Sequence, residues 1–131
     1  MINSKAKGYG GEIQYRDLLR RVFGCKVERQ FASGAFDTAK GDIMPNTLPE
    51  VLKDLQPEIK YCKNVKLRDW VQQCQREFNS KNNWHIAYRC PAEWEITDNF
   101  IIMAPACVLL EMLKELDDLR KNVTLYGRDA K

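Results

Sequence analysis

At 131 residues the chain can build one domain with a real core but not two. A composition that is 44% hydrophobic and 30% charged excludes the disordered and membrane-embedded classes, while a net charge of +3 is too small to identify a nucleic-acid binder by itself. No apolar run is long enough for a membrane span, and no apolar stretch follows the first lysine as a secretion signal would require, so the expected location is the cytoplasm.

Taken in order, Tyr15, Leu18, Leu19, Val22 and Phe23 fall at helical spacing with Arg16, Asp17, Arg20 and Arg21 opposite them. They predict a helix over 11–23, closed by Gly24 as its C-cap. Gly8, Gly10 and Gly11 precede it and suit a close backbone or phosphate approach, without forming a dinucleotide or P-loop fingerprint. Glu12, in the first turn, sits near the edge of the apolar stripe, where it is either a helix-dipole acid or a carboxylate of a site. Residues 25–31 alternate and predict a first strand, 32–41 form a small polar loop, and Asp42-Ile43-Met44 form a brief second strand stopped by Pro45. Residues 48–55, with Pro49 suited to a first helical position, suggest one or two helical turns. A strand over 57–62 follows.

Residues 64–81 read as a second long helix. Val65, Leu67, Trp70, Val71, Cys74 and Phe78 mark its apolar side, and Gln72, Gln73, Gln75, Arg76 and Glu77 are largely exposed. Residues 84–90 alternate into a strand ended by Pro91, and 94–96 and 100–103 flank Asp98-Asn99 as a hairpin. Pro105 opens a third helix whose stripe of Leu109, Met112, Leu113, Leu116 and Leu119 reads as core first and dimer surface second. The three tryptophans occupy apolar-periodic positions and read as core. The last dozen residues are polar and are expected to fray. The element order describes a single-domain α/β or α+β sheet flanked by helices, with the second long helix as a crossover between parallel strands.

Cys25, Cys62, Cys74, Cys90 and Cys107 are odd in number and form no CxxC pair, so reduced thiols are the simplest account. With His85 as the one histidine, zinc sites of ordinary spacing and Ser-His-Asp catalysis are excluded. Any metal must be held through oxygen. Lys5, Lys7, Arg16, Arg20, Arg21, Lys26 and Arg29 concentrate positive charge in the first thirty residues, which makes either a phosphate-facing side or a merely solvated face.

Side chains alternate across a strand, so Glu58 and Lys60 share one face while Ile59 points to the other. If Asp42 lies beside that strand, two carboxylates and an ammonium converge. Asp42, Glu58 and the Ile59 carbonyl can then hold Mg²⁺ (or Mn²⁺) through oxygen, and Lys60 can orient a water for phosphodiester hydrolysis. The bland alternative is a same-face acid–base pair on an exposed sheet edge.

The full constellation is more specific than its parts. Lys7-Gly8-x-x-x-Glu12, Arg29-x-x-x-Ser33-Gly34, Gly41-Asp42-Ile43, Glu58-Ile59-Lys60 and a long helix afterwards together resemble the PD-(D/E)xK nuclease superfamily, and within it the archaeal-type and phage Holliday-junction resolvases. The resemblance covers roughly residues 5 to 90. It implies a restriction-endonuclease-like mixed sheet flanked by helices, a metal site of Glu12, Asp42 and Glu58, water handling by Lys60, and a loop serine, Ser33, near the scissile phosphate. Lys5, Lys7, Arg29, Ser33, Lys40 and Lys63 are the candidate DNA contacts. The partners it implies are branched DNA and a second copy of the chain in a homodimer, in a phage or prophage setting. The sequence departs from the pattern in its long Asp-to-Glu spacer and in Gly41 where the superfamily has proline, and Asp37 rivals Asp42. Trp70-x-x-Gln73 is similar to phage resolvase-like sequences and lacks the glutamine-to-tyrosine pattern of RecB-type exonucleases. Two other readings stay open: a repair or restriction-like nuclease on duplex or flap DNA, and a non-catalytic nucleic-acid-binding module.

Overall fold

In a computed structural model of the chain, which describes residues 4–29 and 42–129 (side chains for 10–29 and 42–123), a three-stranded mixed sheet is accompanied by three helices, of which the first two pack on it. The strands are β1 (Gln56–Lys60), β2 (Trp84–Arg89) and β3 (Phe100–Met103), lying side by side in that order. The helices are α1 (Ser4–Phe23), α2 (Leu67–Glu77) and α3 (Ala106–Asp129). β1 and β2 run parallel, with Glu58 beside Ile86 and Ile59 beside Ala87, and α2 makes the expected crossover between them. β3 returns antiparallel along β2.

Strand alternation sorts the core into two layers. Ile59 and Ala87 join Tyr15 and Leu19 of α1, together with Val27, Ile43 and Leu48, on one side. Trp84, Ile86 and Tyr88 pack with Trp70 and Cys74 of α2 on the other. His85, the single histidine, is buried on the α1 side with its Nε2 2.7 Å from the Tyr15 hydroxyl. Burial lowers its pKa to about 4, so it is a neutral core group. No described helix is long and apolar enough to cross a membrane.

Several expectations change. α1 starts at Ser4, so Gly8, Gly10 and Gly11 lie inside it rather than before it. Gly11 has a packing reason. A Cβ there would meet the Tyr61 Cβ at 3.0 Å and the Ile59 Cγ2 at 3.6 Å, so its bare backbone lets α1 approach the end of β1. Gly24 behaves as expected, with φ +67° and its N–H donating to the Arg20 carbonyl at 2.8 Å.

The strand expected over 25–31 reduces, in its described part, to an antiparallel bridge between Arg29 and Ile43, so Asp42-Ile43-Met44 is one half of that bridge rather than a strand. Residues 48–55 form a single 3-10 turn (Glu50–Leu52) after another at Pro45–Thr47. α2 is shorter than 64–81: it begins only after the non-helical Lys66 (φ −118°, ψ 66°), and Asn79, at φ 47°, breaks the chain just after it. Residues 94–96 are not a strand. Asp98 and Asn99 do take the left-handed conformations of a tight turn, but that turn feeds β3 directly onto β2. Trp94 is half exposed rather than core, and so is the stripe of α3: Leu109, Leu113, Leu116 and Leu119 are all exposed. The five cysteines are free; Cys74 and Cys90 are buried and Cys107 is exposed.

Gly10, unlike Gly11, has nothing within 4 Å of a would-be Cβ. Gly10→Ala is therefore expected to stabilise the fold by about 0.5–1 kcal/mol through helix propensity alone. For Gly11→Ala the same gain is opposed by a clash with Cβ, which cannot swing away, and a net loss of about 1 kcal/mol is expected. Thermal or urea unfolding of the two variants checks the contrast.

Candidate active site

The site forms where the 42–44 segment meets the outer edge of β1. The Ile59 N–H donates to Asp42 Oδ2 at 2.6 Å, so the carboxylate of Asp42 occupies an edge position that a further strand would otherwise take. This bond brings Asp42 beside the residues on either side of Ile59. Glu58 and Lys60 point together toward α2, as alternation requires, with Lys60 Nζ 3.3 Å from Glu58 Oε1. Asp42 and Glu58 are 7% and 6% exposed, which is rare for carboxylates and costly unless their charge is compensated.

Two residues of α2 complete the cluster. Gln73 accepts from Lys60 Nζ through Oε1 (2.5 Å), and its Nε2 donates to Glu58 Oε1 and to Glu77 Oε1, each at 2.9 Å. One amide thus fixes the positions of an ammonium and two carboxylates. Lys60 also lies 5.9 Å from the Trp70 ring centroid, over its face. Sequence reasoning placed Gln73 and Glu77 on the exposed side of α2. Both are half-buried at the margin of the stripe formed by Trp70 and Cys74, one turn apart. The available signal was the i, i+4 pairing of these two polar residues next to the buried stripe, together with Trp70-x-x-Gln73.

The electrostatics follow from crowding in a dry place. Burial pushes the Asp42 carboxyl well above the ordinary range; the Ile59 N–H pulls the other way, Glu12 and Glu77 push it further up, and Lys60 opposes them. Glu58 is pushed up for the same first reason, then by Asp42 and Glu77, against Lys60. Cys74, beneath them, is driven up to about 12 by burial and the same negative field, and is an inert thiol.

The other candidates are placed as follows. Glu12 approaches the cluster closely enough to act on Asp42, but its carboxylate is held by Arg29, whose Nε and Nη2 both donate to Oε2 at 3.0 and 2.6 Å. Arg29 thereby spends part of its donor set on protein rather than on a phosphate. Lys63 is exposed just beyond β1. Lys5 and Lys7 lie on the first turns of α1, and their side chains fall outside the described residues, as do Ser33, Asp37 and Lys40 altogether. Among the described residues no three His, Cys, Asp or Glu side chains are gathered closely enough to hold an ion by themselves. Asp42, Glu58 and the adjacent Ile59 carbonyl nevertheless fit a hard divalent cation, because Mg²⁺ binds through one or two carboxylates and keeps several waters.

Comparison with known proteins adds one relative. The chain is 35% identical to Protein D14 of Escherichia phage T5 over 103 residues, covering 63% of this chain and 61% of that protein. It therefore spans about three-fifths of the length of the relative it matches. No family model and no solved structure matches.

The raised carboxyls make a pH prediction. Groups that hold protons more tightly in the folded state stabilise it fully below their unfolded pKa near 4, and that stability is lost as pH rises through the raised folded values. His85 has the opposite sign, and its contribution is complete above about pH 6.5, so the fall is to be read from there upward. Urea unfolding in EDTA should show stability declining from pH 6.5 toward 9, and Asp42→Asn combined with Glu58→Gln should flatten the decline and raise stability at pH 8.

Proposed function

We propose that the protein is a Mg²⁺-dependent endodeoxyribonuclease of the PD-(D/E)xK type, with a restriction-endonuclease-like arrangement of its mixed sheet, acting on branched DNA of the four-way-junction class. The observation that carries this reading is the convergence of buried Asp42 and Glu58 with Lys60 at the edge of β1. Buried like charges are expensive, and a site that keeps them beside a lysine is suited to polarising a phosphate and activating water. A core built for stability alone would place apolar groups there.

The chain's own residues divide the chemistry. Asp42, Glu58 and the Ile59 carbonyl would hold Mg²⁺, which supplies Lewis acidity and lowers the pKa of a bound water. Lys60 orients the attacking water and places positive charge near the phosphate oxygens. The water oxygen bonds to phosphorus, the bond to the leaving oxygen breaks, the water proton passes to solvent, and the leaving oxygen is protonated in turn. Gln73 keeps Lys60 and Glu58 in register. Glu12 acts through its ion pair with Arg29, steadying the 29–43 bridge beside the site, and reaches the metal only if that pair opens. Lys5, Lys7, Lys40 and Lys63, with Ser33, are the proposed phosphate contacts. The phage origin of the relative is compatible with a phage setting, and the enzyme is proposed to act on DNA in the bacterial cytoplasm as a homodimer with one site per copy.

Cleavage of a labelled synthetic four-way junction with Mg²⁺ tests the proposal. Asp42→Asn, Glu58→Gln and Lys60→Ala should each lose at least about 10³-fold in rate while retaining junction binding by gel shift. Gln73→Ala should lose about 10–100-fold, as supporting residues do. Wild-type protein that leaves the junction intact in both Mg²⁺ and Mn²⁺, or variants that cut as well as wild type, would refute the assignment. Equal cutting of linear duplex of the same sequence would move it to a duplex nuclease.

A further inference from the structure

α3 has 24 residues, roughly 36 Å of helix, and it leaves its apolar face uncovered. Leu109, Met112, Leu116, Leu119 and Val123 are between 36% and 70% exposed. Their spacing is 3, 4, 3, 4, the a and d positions of a heptad, with Leu109, Leu116 and Val123 at a and Met112 and Leu119 at d. Over the first heptad the stripe is widened by Val108 and Leu113, and from Leu116 to Val123 it narrows to the a and d seam of a coiled coil.

The flanking positions name the occupant. With Leu109 at a, Val108 and Glu115 fall at g, and Leu113 and Arg120 at e. In a parallel pair, each g residue meets the e residue five positions later on the other helix. Val108 then faces Leu113, an apolar contact, and Glu115 faces Arg120, an ion pair, each formed twice. An antiparallel pair would instead bring g to g and e to e, and no acid would meet a base. Along the outer face Lys114 bonds Asp118 at 3.0 Å and Lys121 bonds Asp117 at 2.9 Å. Glu115 and Arg120 take no salt bridge among the described residues.

We propose that α3 is the interface with a second copy of this chain, as a parallel two-stranded coil with Leu109, Met112, Leu116, Leu119 and Val123 in the seam and reciprocal Glu115–Arg120 pairs beside it. The seam is short for a free-standing coil, and the uncovered apolar surface continues from it. Leu109 and Met112 also line a groove of about 1120 Å³ whose other walls include Val22 and Phe23 of α1 and Ile102 of β3. A partner helix beginning beside Leu109 adds burial at the mouth of that groove. The interface is read from α3 alone and holds whether or not the buried carboxylates cut DNA.

Sedimentation equilibrium of the full-length protein tests it. Wild type should be a dimer. Leu116→Asp, which puts a charge into the seam on both helices, should raise the dissociation constant at least about a hundredfold with far-UV circular dichroism of the body retained. Leu110→Ser, outside the seam, should leave it unchanged. Glu115→Arg and Arg120→Glu should each weaken self-association, and an equimolar mixture of E115R with R120E should form heterodimers in preference to either homodimer. A wild-type monomer, meaning α3 folds back on its own groove, would overturn the proposal. So would a trimer or larger assembly, a dimer indifferent to Leu116→Asp, or a mixture that does not cross-pair.

Discussion

The hydrogen bond from the Ile59 N–H to Asp42 is the contact on which the candidate site depends. β1 lies at the edge of the described sheet, and an edge strand presents N–H groups that must be paired, wetted or covered. Here one of them is covered by a side-chain carboxylate. The same contact therefore ends the sheet and seats an acid against the strand that carries Glu58 and Lys60. The Arg29–Ile43 bridge holds the segment from the other direction, and the Thr47 hydroxyl, accepting from the Glu28 N–H at 2.9 Å and donating to the Met44 carbonyl at 2.7 Å, anchors the turn that follows.

Placing Asp42 there has an energetic consequence. Asp42, Glu58 and Glu77 gather negative charge against one ammonium, in a region where burial alone already disfavours ionised carboxyls. The fold tolerates this because two apolar layers hold the sheet beside it. Tyr15, Leu19 and Ile59 close one side of the sheet, and Trp70, Ile86 and Tyr88 close the other. The polar cluster sits at the margin of the second layer, reached through Gln73. Stability is spent at one edge, and the rest of the sheet holds that edge still, which is the arrangement the proposed metal site would need.

Some of this was legible in the sequence because period-2 alternation is local. Glu58 and Lys60 had to share a face once 56–60 was a strand, and the parallel β1–β2 pair followed from a helix between two strands. What local pattern could not supply was partnership across distance. Arg29 with Glu12, and Gln73 with both Glu58 and Lys60, are contacts between elements whose relative rotation no window of sequence encodes. Glycine misled in the opposite direction. Gly8, Gly10 and Gly11 were expected to precede the helix and lie inside it instead, while the close backbone approach they suggested is present at Gly11, a tertiary reason that outweighs helix propensity.

The two later helices make the same point about hydrophobic periodicity. α2 and α3 each carry an apolar stripe, the first expected to face the core and the second to be core first and dimer surface second. The stripe of α2 includes Trp70 and Cys74, both buried against β2, with Gln73 and Glu77 at its margin serving the site. The stripe of α3 runs through Leu109, Met112, Leu116, Leu119 and Val123 at 3-4 spacing, with Glu115 and Arg120 flanking its second half, and it stays open. Periodicity establishes that a face seeks burial; it does not say against which molecule. The Glu115 and Arg120 positions beside the stripe carry that second piece of information, because a helix lying on its own sheet needs no flanking code, whereas a helix that pairs with its copy needs a seam and a way to set register.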